Sequence, residues 1–215
     1  MSGVVVAWDT STNTGVAAAG AGGRVLCERE FPAEKGHTGR LMLLVDSMLS
    51  ELDRGPSDIE SIVVGTGPGN FTGVKVGVAT AKGMSLGLGV PLAGVPTLDL
   101  LAGAGPGGGQ VVSIMDARRE TLYARIFNTS TGEFLYVCET LEEIARLVAS
   151  LPGEEVTLAG WVPEDLSNMV EKQGKHIVVV PREPKAARLL EMYFAGLVEP
   201  GDAFSVLPLY LKRPV

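Results

Sequence analysis

Apolar residues in this chain come in short unbroken runs that end on an acidic residue. Val4-Val5-Val6-Ala7-Trp8 stops at Asp9, a polar turn follows, and a second apolar run covers 15–19. Val111-Val112-Ser113-Ile114-Met115 stops at Asp116 in the same way, followed by Ala117-Arg118-Arg119-Glu120 and an alternating stretch over 122–127. Short apolar runs bounded by turn residues predict strands. Each half continues with a third strand (24–31 and 133–137), a helix (37–53 and 141–151) and a further strand (59–65 and 156–160). The halves therefore repeat the order strand, strand, strand, helix, strand, helix. The predicted class is α/β, with an N-terminal lobe over 1–104 and a C-terminal lobe over 110–215. The glycine-rich stretch 102–109 reads as a flexible connector between them.

The helix predicted over 37–53 carries Leu41, Leu44, Val45, Met48, Leu49 and Leu52 on one face, enough to dock it on its own sheet. Met42 and Leu43 fall off that face and become candidates for contact with a partner. The block 65–91 is less ordinary, because a glycine-rich turn leads directly into a glycine-rich helix. Glycine inside a helix costs about 1 kcal/mol relative to alanine, so close packing or binding must offset the loss. The turn fails the phosphate-binding spacings. Asn70 stands where a dinucleotide fingerprint needs its third glycine, no Walker lysine follows, and Pro68 removes an amide donor. A tight strand-to-helix turn remains, capped by Asn70 or Thr72. At 100° per residue, Gly73, Gly77, Thr80, Met84 and Gly87 share one stripe, and Phe71, Lys75, Val78 and Lys82 the opposite one. The small stripe predicts close approach of another backbone, within the chain or from a partner. The opposite stripe is plain surface or an interface.

Composition narrows the classes. The chain has 215 residues, 46% of them hydrophobic, and a mean hydropathy of +0.25, enough for one large core or two smaller ones. The apolar stretch 76–95 contains Lys82 and Pro91, so no membrane span is expected. The N-terminus lacks a basic region before its short apolar run and does not read as a signal peptide. Cys27 and Cys138 form no local motif, which suits a reducing cytoplasm. A net charge of −7 argues against a protein that grips nucleic acid by itself. The basic groups Arg118-Arg119, Arg182 with Lys185 and Arg188, and Lys212-Arg213 read as solvated surface or a peripheral RNA contact.

The duplicated unit with an aspartate closing the first strand of each half resembles the actin, Hsp70 and sugar kinase superfamily, a two-lobed duplicated RNase H-like fold. Asp9-Thr10-Ser11-Thr12, His37-Thr38-Gly39-Arg40-Leu41, Gly67-Pro68-Gly69-Asn70-Phe71-Thr72-Gly73 and Leu207-Pro208-Leu209-Tyr210-Leu211 resemble the TsaB family nearly end to end. That resemblance implies a cytoplasmic, noncatalytic partner of the enzyme TsaD, which places a threonylcarbamoyl group on the adenosine beside the anticodon of certain tRNAs. It further implies a heterodimer with TsaD through the N-terminal helices, a homodimer when TsaD is missing, an ATPase, TsaE, that joins the assembly, and only indirect contact with tRNA. The interface candidates are Met42, Leu43, Phe71, Gly73, Lys75, Gly77, Val78, Thr80, Lys82 and Met84.

In active members of that superfamily strand-end aspartates position metal and phosphates, so Asp9, Thr10 and Asp116 are the vestigial nucleotide positions. Hydroxyl-rich turns also serve ordinary structure. The indole of Trp161 after Gly160 is expected to fill the space that paired glycines leave for adenine, so no cofactor is expected. A histidine pair four residues apart would mark a metal site; His37 and His176 are far apart, and no metal is expected. An independent kinase or ATPase of the superfamily, and less strongly a metallopeptidase, are the alternative readings.

Overall fold

The computed structural model describes residues 3–32, 37–102, 110–128, 133–180 and 182–211, and for 37–39 and 128 the backbone alone. The stretch 103–109, Lys212-Arg213 and the side chain of His37 lie outside the described residues.

The order is β1 (Val4–Asp9), β2 (Thr14–Ala21), β3 (Arg24–Pro32), α1 (His37–Glu51), β4 (Ile59–Gly65), α2 (Phe71–Leu88), β5 (Leu92–Val95) and α3 (Thr97–Ala102). Then come β6 (Gln110–Asp116), β7 (Thr121–Asn128), β8 (Glu133–Thr140), α4 (Leu141–Ala149), β9 (Glu155–Gly160), α5 (Glu164–Lys172), β10 (His176–Val180) and α6 (Ala186–Phe194). The strands form two five-stranded sheets of the same topology, β3-β2-β1-β4-β5 and β8-β7-β6-β9-β10. In each, an antiparallel meander is extended by two parallel strands. The repeat predicted from the apolar runs is present, including the α1 start and the whole of β4.

Both faces of the first sheet are covered, which explains why β1 is buried at every position. Val4, Val6 and Trp8 pack with Leu41, Val45 and Met48 of α1 and with Val74 and Val78 of α2. Val5 and its register partner Gly20 face the other way. A Cβ at Gly20 would lie 3.1 Å from Leu190 and 3.0 Å from Phe194 of α6.

That last contact corrects the domain boundaries. The chain divides into one unit of Met1–Thr97 with Pro184–Leu209 and another of Leu98–Glu183 with Tyr210–Val215, rather than into contiguous lobes 1–104 and 110–215. The helix after the fifth strand of each half crosses over. Leu98 and Leu101 of α3 join Met115 and Tyr123 on the second sheet, while α6 packs across β1, β2, β3 and β4. After α6 the chain stays on the first unit as far as Leu209. Gly201 bridges Leu92, Ala203 and Val206 enter the core, and the Leu209 amide donates to the Thr66 carbonyl at 2.8 Å.

The other face of the second sheet carries α4 and α5, through Ile144, Val148, Leu166 and Val170 against Val112 and Ile114. Under α3 that sheet holds a buried polar group. Arg125 Nε lies 2.7 Å from Asp99 Oδ1 as an ion pair, and the Tyr136 hydroxyl donates to the same oxygen at 2.8 Å. Burial raises the Asp99 carboxyl against the lowering effect of Tyr136 and Arg125. Burial, then the Asp99 carboxylate, pushes Tyr136 up to about 12.

Candidate functional site

Asp9 ends β1 almost fully buried, and the chain itself occupies its carboxylate. Oδ1 accepts from the Ser11 amide at 2.6 Å and Oδ2 from the Thr97 hydroxyl at 2.6 Å. Thr97 Oγ1 in turn accepts from the Gly67 amide at 3.2 Å. Thr97 belongs to the family-like stretch Gly94-Val95-Pro96-Thr97-Leu98 and opens α3, but no spacing in the sequence linked it to Asp9, 88 positions away.

The glycine-rich block closes on this turn. Asn70 caps α2 by accepting from the Gly73 amide, and the Asn70 amide donates to the Ser11 carbonyl at 2.6 Å. Two α2 carbonyls take extra donors from β1 and its turn. The Thr10 hydroxyl donates to Gly73 O at 2.7 Å and Trp8 Nε1 to Gly77 O at 3.1 Å. Only glycine admits this approach. A Cβ at Gly73 would lie 1.9 Å from the Thr10 carbonyl oxygen, one at Gly77 2.2 Å from Thr10 Oγ1, and one at Gly65 2.0 Å from Asp9 Oδ2.

The close approach is therefore intramolecular, and the helix stripes need correction. α2 buries Gly73, Val74, Gly77, Val78, Ala81 and Ser85, a face rotated roughly a quarter turn from the predicted small stripe. The two valines, drawn onto the sheet, set that rotation. Gly73, Gly77 and Val78 are thereby out of a partner's reach. Met42, Thr80, Lys82 and Met84 are half-buried, while Leu43, Phe71 and Lys75 are exposed. Leu43 is 72% and Leu86 58% exposed, and Lys75 Nζ sits 3.8 Å over the Phe71 ring. Toward the C-terminal end of α2, near Leu86, Gly83 and Gly87 face open space, with no atom within 4 Å of an added Cβ. Gly83 and Leu86 fall outside both predicted stripes, because the buried face of α2 is turned away from the predicted one.

The second half does not reproduce the closed turn. Asp116 is exposed, with Oδ1 accepting from the Arg118 amide at 2.8 Å. Arg118, Arg119 and Glu120 follow with φ of 62°, 54° and 61°, three successive residues in the left-handed region. The Trp161 indole is 55% exposed and lines a cavity of about 490 Å³, rather than filling space as expected. Of the basic groups, Lys185 pairs with Glu30, Arg188 with Glu191, and Arg182 donates to the Leu101 carbonyl. Among the described residues no group of three His, Cys, Asp or Glu is placed to hold a metal. No helix among them is long and apolar enough to cross a membrane.

Two five-stranded sheets of one topology, each with an aspartate at the end of its first strand, define a duplicated α/β protein of the actin, Hsp70 and sugar kinase type. An inorganic polyphosphate/ATP-glucomannokinase from an Arthrobacter strain shares that fold, at TM-score 0.52 and 12% identity over 91% of this chain and 99% of the kinase. The family model described as TsaD, tRNA N6-adenosine threonylcarbamoyltransferase, matches residues 31–200, and the chain belongs to that family, on its TsaB branch. It is 35% identical over 139 residues to the tRNA threonylcarbamoyladenosine biosynthesis protein TsaB of Bacillus subtilis, covering 64% of this chain and 55% of that one. With Escherichia coli TsaB it shares 32% identity, covering 63% and 60%. The chain thus spans little more than half the length of these two relatives. A crystallised Pseudomonas aeruginosa protein, described as similar to peptidase YEAZ, superposes at TM-score 0.77 with 26% identity, covering 99% of this chain and all of that one.

Proposed function

We propose that this chain acts in the cytoplasm as a noncatalytic partner subunit of TsaD in forming threonylcarbamoyladenosine on tRNA. The observation that carries the reading is the outer face of α2. It offers Phe71 at the start of the helix and, toward its end, Leu86 beside Gly83 and Gly87, whose bare backbone lets a second helix approach closely. Exposed Leu43 on α1 extends the same contact. TsaD docks on this α1–α2 face, which a second copy of the chain covers when TsaD is missing. TsaE joins the pair, and tRNA is held chiefly by the other subunits, because this chain carries net charge −7. The closed turn supports the noncatalytic role. Asp9 and Thr10 spend their oxygens on Ser11, Thr97 and Gly73, and a phosphate binding there must first displace those partners.

Co-purification with TsaD, followed by a tRNA modification assay, tests the proposal. The double variant Leu43→Asp/Phe71→Asp keeps its fold and loses both TsaD binding and stimulation of the reaction. Full binding by that variant, or full TsaD activity without the chain, rejects the reading. Saturable binding of ATP and magnesium that disappears in Asp9→Ala transfers the assignment to an ATPase.

A further inference from the structure

The duplicated turn is sealed in one half and open in the other. In the first unit α2 closes against the turn after Asp9; in the second, the corresponding turn after Asp116 borders the 490 Å³ cavity. Two features distinguish this turn. It runs through three successive left-handed residues, Arg118–Glu120. Gly160, at φ 108°, lets the Trp161 amide bond to the Ile114 carbonyl at 3.0 Å, which fixes the indole at the rim.

Asp116 and Glu120 line this cleft from the turn, Glu142 from the first turn of α4, Asp165 from the first turn of α5, and Leu141 and Met169 supply apolar surface. None of the four carboxylates is in an ion pair among the described residues. Arg118 and Arg119, the cations of the same turn, are exposed and outside the lining. Glu142 and Asp165 stand in the first turns of α4 and α5, and a backbone hydrogen bond, then the Thr140 hydroxyl, holds the Glu142 carboxyl below its usual range.

A negative cleft with a flat indole wall and apolar flanks matches a planar cation on an aliphatic stem. We propose that this cleft receives an arginine side chain from a basic segment of a partner protein. Small-molecule sites enclose most of their ligand; here one wall is an indole more than half exposed, which suits a side chain whose backbone stays outside. Arginine and tryptophan are also the residue types that concentrate binding energy at protein interfaces. The inference does not depend on the role proposed for the α1–α2 face.

Calorimetry of the full chain with an amidated tetra-arginine peptide at low salt tests it, with tryptophan emission as the local readout. Trp8 is fully buried in the other unit, so a change on binding reports Trp161. Saturable binding is expected, weakening as salt rises. It falls at least tenfold in Glu142→Gln/Asp165→Asn and, by calorimetry, in Trp161→Ala, and stays unchanged in Glu154→Gln, which lies outside the cleft. A tetra-citrulline peptide fails to bind. The proposal is overturned by no saturable signal at millimolar peptide, by unchanged affinity in the folded double variant or in Trp161→Ala, by equal affinity for tetra-lysine, or by tighter binding of spermidine than of the peptide.

Discussion

Replacing Gly73 and Gly83 in turn by alanine separates the two sides of α2. Both positions lie inside the helix, so on propensity alone each change stabilises by about 1 kcal/mol. At Gly83 nothing lies within 4 Å of the new Cβ, and the gain of about 0.5–1 kcal/mol is realised. At Gly73 the Cβ would sit 1.9 Å from the Thr10 carbonyl oxygen, where ordinary contact begins at 3.4 Å. A displacement of about 1.5 Å is needed, against backbone that no rotamer change can move aside. Overpacking of this kind costs about 1–3 kcal/mol. The shift also loosens the hydrogen bonds from Thr10 to Gly73 O and from Gly73 to Asn70, worth about 1 kcal/mol each. After the propensity gain, Gly73→Ala is expected to destabilise the N-terminal unit by about 2–4 kcal/mol. Urea unfolding followed by Trp8 emission in a Trp161→Phe background reads that unit alone, since Trp8 donates to α2 itself. Equal midpoints for the two alanine variants would refute the reasoning that the turn and α2 are locked together.

Three further outcomes follow from the buried polar groups. Asp9→Ala leaves the Ser11 amide and the Thr97 hydroxyl unpaired in a buried site and destabilises the same unit by about 2–4 kcal/mol; a loss below 1 kcal/mol contradicts the internal role assigned to that carboxylate. Arg125→Met strands Asp99 without its cation and costs about 3–5 kcal/mol, much of it recovered by adding Asp99→Leu, as urea midpoints of the second unit will show. In alkali, Tyr136 favours the folded state while protonated, because its folded pKa of about 12 lies above its ordinary value of 10.0. Its contribution is complete below pH 10 and lost as pH rises toward about 12. Unfolding followed by Trp161 emission therefore shows falling stability over that range. Tyr136→Phe shows a shallower fall, the remainder coming from Tyr123, which burial also raises.

The sequence by itself determined the duplication, the order of strands and helices, and the places where each first strand ends, because those depend on local periodicity and turn residues. Short apolar runs such as Val4–Trp8, bounded by turn residues, read as strands, but that helices cover both faces of the sheet emerged only from the fold. The sequence also showed that the block 65–91 required a close approach, since helical glycines are unfavourable without one. Only the tertiary structure decided what approaches. The partner at Gly73 and Gly77 is Thr10, more than sixty positions away, and no spacing within the helix encodes it. The exchange of α3 and α6 between units was equally hidden, because a short amphipathic helix reads the same whichever sheet it meets. Asp9 and Asp116 look alike in sequence, yet one is buried under the helix that follows β4 and the other borders an open cleft. Asn70 and Gly73 close one turn through contacts to Ser11 and Thr10, while the other runs through three left-handed residues and borders the cleft.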